Sequence, residues 1–170
     1  SIDTAARTAD VQGMCTYERL VAVTLVHGLM PTVVPQLRTI TLGGAVTGLG
    51  IESSSFRNGL PHEAVREIDI LTGAGEVVTA TPDNAHAELF RAFPNTFASL
   101  GYATRLRIAL DEVQPYVATS NVRFDSLEAA VRSLRARRID FLIHDAPTVW
   151  QISLAAGERK FEVDVDWLTG

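Results

Sequence analysis

Thr41-Leu42-Gly43-Gly44-Ala45-Val46-Thr47-Gly48-Leu49-Gly50-Ile51-Glu52-Ser53-Ser54-Ser55 is the stretch on which the reading of this chain turns. Five of the twelve glycines lie between Gly43 and Gly59. Glycine admits positive φ and lets a ligand reach main-chain N–H groups, and threonine and serine add short hydroxyls, so the pattern suits a phosphate or the edge of a flavin. A glycine-rich turn segment with a purely structural role fits the same residues. Glu52, a carboxylate amid glycines and serines, reads either as a hydrogen-bond anchor for the loop or as a cofactor contact. Two nucleotide motifs fail here. No Gly-Lys-Ser/Thr follows, and Gly48-x-Gly50-x-x-Ser53 departs from the dinucleotide fingerprint at its third glycine.

Upstream, residues 9–14 read as a short strand. Thr16 then caps a helix in which Tyr17, Leu20, Val21, Thr24 and Leu25 recur at helical spacing, until Gly28 and Pro31 stop it. Thr32 to Pro35 reads as a short buried strand. Downstream, Glu63 to Leu71 and Glu76 to Ala80 form a hairpin around Thr72-Gly73-Ala74-Gly75. Pro82-Asp83-Asn84 opens a short helix with Leu89, Phe90 and Phe93 on its apolar side. Arg105 to Leu110 alternates, with Leu106, Ile108 and Leu110 on one face and Arg105 and Arg107 on the other, which predicts a half-buried strand.

A boundary is expected near Glu112 to Pro115, dividing the chain into domains 1–114 and 115–170. The second reads as β-α-β-β-β: a strand over Val117 to Phe124, a helix opened by an Asp125/Glu128 capping box, and strands over Ile139 to Ile143, Val149 to Leu154 and Phe161 to Trp167. Arg132, Arg135, Arg137 and Arg138 form the helix's solvated face.

The 170 residues carry 15 basic and 20 acidic side chains, a net charge of −5 that argues against a generic polyanion binder. Nucleic-acid binding also lacks a basic patch with interleaved aromatics. No apolar run reaches the ~18 residues that span a bilayer. Cys15 is the lone cysteine, so an internal disulfide is excluded. Residues 1–12 lack the apolar core of a signal peptide, and the expectation is a cytoplasmic protein, with peripheral attachment to a membrane left open. His27, His62, His86 and His144 are scattered, His62-Glu63 lacks the second histidine of His-Glu-x-x-His, and no metal site is expected. Serines 53 to 55 lack a Gly-x-Ser-x-Gly elbow.

Taken together, Val34-Pro35-Gln36, Thr41-Leu42-Gly43-Gly44, Gly48-Leu49-Gly50-Ile51-Glu52-Ser53-Ser54, Asn58-Gly59-Leu60, the hairpin Ile68 to Val78, Glu88-Leu89-Phe90-Arg91-Ala92 and Ser99-Leu100-Gly101-Tyr102-Ala103-Thr104 resemble the FAD-binding domain of the vanillyl-alcohol oxidase/p-cresol methylhydroxylase (PCMH) superfamily. Its Δ24-sterol reductase-like branch is the most similar, over roughly residues 9–112. The resemblance implies an α+β, PCMH-type FAD-binding fold with a mixed or antiparallel sheet, followed by the start of a ferredoxin-like cap. It further implies FAD contacts at Pro35, Gln36, Thr41, Leu42, Gly43, Gly44, Gly48, Gly50, Ile51, Glu52 and Ser53, and in the loop holding Gly101 and Thr104. Non-covalent FAD would carry out hydride transfer with a small, sterol-like or otherwise apolar, organic substrate.

Family members carry another phosphate-gripping loop upstream of the stretch that Asp10-Val11-Gln12-Gly13 resembles, and a complete cap downstream. The resemblance therefore implies a chain incomplete at both ends. The rival expectation is a non-enzymatic fragment or interaction module that oligomerises or uses a partner chain to cover what the absent subdomain would cover.

Overall fold

The computed structural model describes residues 1–48, 50–52, 55–114, 124–126, 128–129, 132–133, 143–146, 149–156 and 159–165. They divide into two compact units, residues 1–52 with 59–113, and residues 53–58 with 114–170.

The first unit is built on an antiparallel sheet of β1 (Ile2–Asp3), β2 (Thr8–Gln12), β3 (Leu29–Pro31), β4 (Val65–Leu71), β5 (Val77–Ala80) and β6 (Tyr102–Glu112). The order is β1-β2-β6-β4-β5, and β3 also pairs with β6. β6 is the spine because its alternation serves two faces. Leu106, Ile108 and Leu110 are buried with Ile68 and Ile70 of β4, as the sequence pattern predicts.

On the opposite face, Arg105 gathers three carboxylates from the flanking strands. Its Nε meets Asp69 Oδ2 at 2.7 Å, its Nη1 meets Asp10 Oδ1 at 2.5 Å, and its Nη2 pairs with Glu67. Arg107 holds the other Asp10 oxygen at 3.1 Å. Hydrogen bonds from these guanidiniums keep the Asp10 and Asp69 carboxyls below the usual carboxylate range.

The helices are α1 (Tyr17–Leu25), α2 (Leu42–Thr47), α3 (Ser55–Asn58) and α4 (Ala87–Ala92), with α3 in the second unit. Thr16 caps α1 as expected, its Oγ1 accepting the Arg19 N–H at 3.4 Å, and Tyr17, Leu20 and Thr24 are buried. Phe93, just past α4, is fully buried, with Leu89 and Phe90 packed against the core.

Two strand expectations shift, one on either side of the glycine-rich stretch. The strand expected at Thr32 to Pro35 lies at Leu29–Pro31, where Leu29 and Pro31 alternate into the interior opposite Glu112 and Leu110. The strand expected from Glu63 begins at Val65, because Pro61 starts a 3₁₀ turn over Pro61–Ala64.

In the second unit, β7 (Ile143–Ala146), β8 (Val149–Ala156) and β9 (Arg159–Val165) form an antiparallel meander in that order. Two of its three strands overlap the expected spans closely; the one expected over Ile139 to Ile143 is found at Ile143–Ala146, residues 139–142 lying outside the described residues. Residues 128–129 and 132–133 are helical. The observed cap is Ser126 rather than Asp125: Ser126 Oγ accepts the Ala129 N–H at 3.2 Å, one residue later than the expected box. The strand expected over Val117 to Phe124 falls outside the described residues, apart from Phe124 itself, which is in neither strand nor helix. Among the described residues no helix is long and apolar enough to cross a membrane.

Candidate cofactor site

Part of the glycine-rich stretch, expected as a turn segment, is the helix α2. Thr41 is extended and its Oγ1 accepts the Gly44 N–H at 3.1 Å, while Leu42, Ala45 and Val46 turn into the core. Two interior glycines each disfavour such a helix by about 1 kcal/mol relative to alanine. Close backbone approach offsets that. The Gly43 N–H donates to Gly13 O at 2.8 Å, the Leu42 N–H to Cys15 O at 2.9 Å, and the Gly13 N–H to Thr104 O at 2.9 Å.

Gly13 is thus a seam between α2 and the start of β6. A Cβ on Gly13 would collide with the Ala103 carbonyl, and one on Gly43 would stand 3.0 Å from the Gly13 carbonyl oxygen. The Leu42, Gly43, Gly44 and Ala45 amides are all engaged inside the protein, by Cys15 O, Gly13 O, Thr41 Oγ1 and Thr41 O. Leu42 and Gly43 are buried, so their part is to place the helix. Gly44 is exposed, and among the described residues the atom near a Cβ built there is Thr41 Oγ1, at 2.9 Å. Gly44 itself adds no side chain to that part of α2.

At the other end of α2 the loop before β6 closes over the last carbonyls. The Asn95 N–H donates to Val46 O at 3.1 Å and the Phe97 N–H to Thr47 O at 2.8 Å. Asn95, Phe97 and Ala98 have φ of 60°, 51° and 63°, left-handed conformations that cost about 1–2 kcal/mol per non-glycine residue. Such strain concentrates at functional sites. Gly101 follows with φ of 127° against the Leu71 carbonyl, and β6 begins at Tyr102. Gly101 to Thr104, expected as a loop, is therefore a loop end and a strand start. Thr104 is exposed and its Oγ1 donates to Asp69 O at 3.1 Å.

Pro35 is buried, and the exposed Gln36 donates its N–H to Glu52 Oε2 at 3.0 Å. Gly48 ends α2, its N–H donating to Gly44 O, and a Cβ on Gly50 would stand 2.8 Å from Pro61 Cγ. Ile51 is exposed, and Ser53 lies outside the described residues. Burial, and secondarily the Glu52 carboxylate, push the Tyr17 phenol upward.

The structure thus joins Thr41 to Gly48 with Thr104 through Gly13, and Gln36 with Glu52 directly. Sequence reasoning passed over Gly13, Met14 and Phe97; a glycine between a strand and a threonine cap was the available signal. Met14 and Phe97 are 82% and 76% exposed, with Tyr102 also in solvent. Two buried atoms lack a hydrogen-bond partner among the described residues, Asn95 Oδ1 and, in the turn packed on α2, His62 Nδ1. Among the described residues no cluster could hold a metal ion. An exposed glycine on α2 and exposed apolar side chains at Met14, Phe97 and Tyr102 are compatible with a largely apolar ligand.

The FAD binding domain family matches residues 1–81. The chain is 32% identical over 116 residues to a Delta(24)-sterol reductase of Pisum sativum, covering 68% of this chain and 20% of that protein. Cytokinin dehydrogenase 10 of Oryza sativa subsp. japonica is 38% identical over 87 residues, 51% of this chain and 16% of that protein. The chain thus spans about a fifth of the length of the curated relatives it matches. The fold is shared with 6-hydroxy-D-nicotine oxidase from Arthrobacter nicotinovorans, with a TM-score of 0.61 and 23% identity over 66% of this chain and 24% of that one.

Proposed function

We propose that this chain, whose residues 1–81 match the FAD binding domain family and whose fold is shared with 6-hydroxy-D-nicotine oxidase, is the FAD-binding portion of a flavin-dependent oxidoreductase. The observation that carries the reading is the exposed Gly44 surface of α2, on a helix whose own first amides are already engaged. Bound FAD supplies the hydride acceptor or donor; this chain's residues hold and orient it. Gly44, Gly48 and the Gly50–Ile51 main chain would lie against the cofactor, Thr41 and Gly43 would fix α2 beneath it, and the Asn95 to Gly101 loop with Thr104 would border it.

Residues 1–114 would form the cofactor domain and residues 115–170 part of a substrate-shaping domain. The names of the sterol reductase relatives favour a sterol-like or other apolar alkene as the first substrate class to test. Titration of FAD into the purified chain, read by flavin fluorescence, should saturate. Gly44→Val should weaken binding at least tenfold while leaving the circular dichroism spectrum intact. Unchanged affinity in the folded variant would overturn the Gly44 assignment.

The exposure of Met14, Phe97 and Tyr102 favours a second reading, an interaction module whose apolar surface meets another chain. Light scattering separates the two: a clean monomer that binds FAD supports the first reading, and association without FAD binding supports the second.

A further inference from the structure

The Gln36 N–H and the Glu52 carboxylate meet at 3.0 Å across sixteen positions of chain, joining the two segments that flank α2 in sequence. Both lie in the unit that carries the cofactor surface. The Gln36 side follows the buried Pro35 and leads through the Arg38 and Ile40 carbonyls, which accept the Glu18 and Tyr17 N–H groups at 2.8 and 3.0 Å, to the Thr41 cap. The Glu52 side follows Gly50, seated against Pro61, and the exposed Ile51. The Glu52 side chain ties this stretch back to Gln36.

We propose that Glu52 is a positioning residue for the FAD site: by accepting the Gln36 N–H it clasps the Pro35–Gln36 segment to the Gly50–Glu52 segment and holds the Gly50–Ile51 main chain beside the open face of α2. This rests on the FAD reading above. A carboxylate suits the task because it accepts hydrogen bonds at both oxygens and the bond from a main-chain N–H to a charged acceptor is a strong one. Tyr17, 1% exposed, has its phenol pushed upward by burial and, secondarily, by the Glu52 charge. Glu52 needs no contact with the flavin for this role.

The test compares Glu52→Ala, Glu52→Gln and Glu18→Ala by FAD titration, with amide hydrogen exchange at Gln36 followed on the same samples. Glu52→Ala should weaken FAD about tenfold or more and speed Gln36 exchange, the loss of one charge-assisted hydrogen bond. Glu52→Gln keeps an acceptor oxygen and should restore most of both. Glu18→Ala breaks only the exposed pair with Arg38 and should match the parent chain. Parent-like FAD affinity in folded Glu52→Ala would overturn the positioning role while leaving the FAD reading intact, and so would weakened FAD with parent-like Gln36 exchange, since the carboxylate would then act on the cofactor and not through the clasp. Failure of the parent chain to bind FAD would overturn the FAD reading itself and the positioning role with it.

Discussion

α1 and α2 both start at an extended threonine whose Oγ1 accepts the N–H three residues on, and the two threonines, Thr16 and Thr41, form a β-bridge with each other. From there they diverge. α1 runs nine residues without glycine and is held by Tyr17, Leu20 and Thr24 side chains in the core. α2 runs six residues with Gly43 and Gly44 inside it, and its backbone is bonded to Gly13 and Cys15. Both helices bury side chains and bond their first amides to distant carbonyls, but only the second needs glycine where the backbones meet. Glycine at the contact lets α2 approach Gly13 closely, and the exposed Gly44 face is the one proposed above to meet FAD.

The comparison breaks most readily at the seam. Gly13→Ala forces the Ala103 carbonyl to move and should destabilise the first unit by about 3 kcal/mol or more, measured by denaturant unfolding. Ala22→Gly on the exposed side of α1 should cost only about 1 kcal/mol. Equal effects would mean that α2 is not held by close approach.

Next in size is the charged face that clamps β2, β6 and β4, where Gly13 directly follows β2 and Thr104 lies on β6. Arg105→Met leaves Asp10, Glu67 and Asp69 facing one another and should cost about 2 kcal/mol at pH 7, less than a fully buried pair because the site is partly solvated. The Asp10 and Asp69 carboxyls titrate below the ordinary carboxylate range, so their contribution is present above about pH 4 and is lost as pH falls through the folded-state values. In Arg105→Met this acid loss should flatten; an unchanged acid limb in thermal melts would count against the clamp.

The caps sharpen the contrast. Thr16→Ala and Thr41→Ala should each cost about 1 kcal/mol, but only Thr41→Ala should also weaken FAD. Smallest of all is Gly44→Ala. Its gain in helix propensity of about 1 kcal/mol offsets the crowding of Thr41 Oγ1, so Tm should hardly move while FAD affinity falls.

Much of the frame was legible. The alternation of Leu106, Ile108 and Leu110 with Arg105 and Arg107 announced β6, the Thr72 to Gly75 turn announced the β4–β5 hairpin, and Thr16 announced α1. α2 was hidden because its two glycines outweighed the Thr41 cap and the Leu42, Ala45, Val46 spacing in a local reading. β3 was placed late because Val33, though buried, makes no ladder, whereas Leu29 and Pro31 do. At the site, the glycine-rich segment was visible and the use of each glycine was not.

By itself the sequence determined the α+β class and the paired faces of β6, since period, caps and turn residues act over a few neighbours. Only the tertiary structure decided that Gly13 and Gly43 serve a backbone seam, that Gly44 stays bare, and that Glu52 closes on Gln36. Those assignments depend on which main-chain atoms arrive from distant positions, the Thr104 and Ala103 carbonyls above all, and no local pattern encodes that arrival.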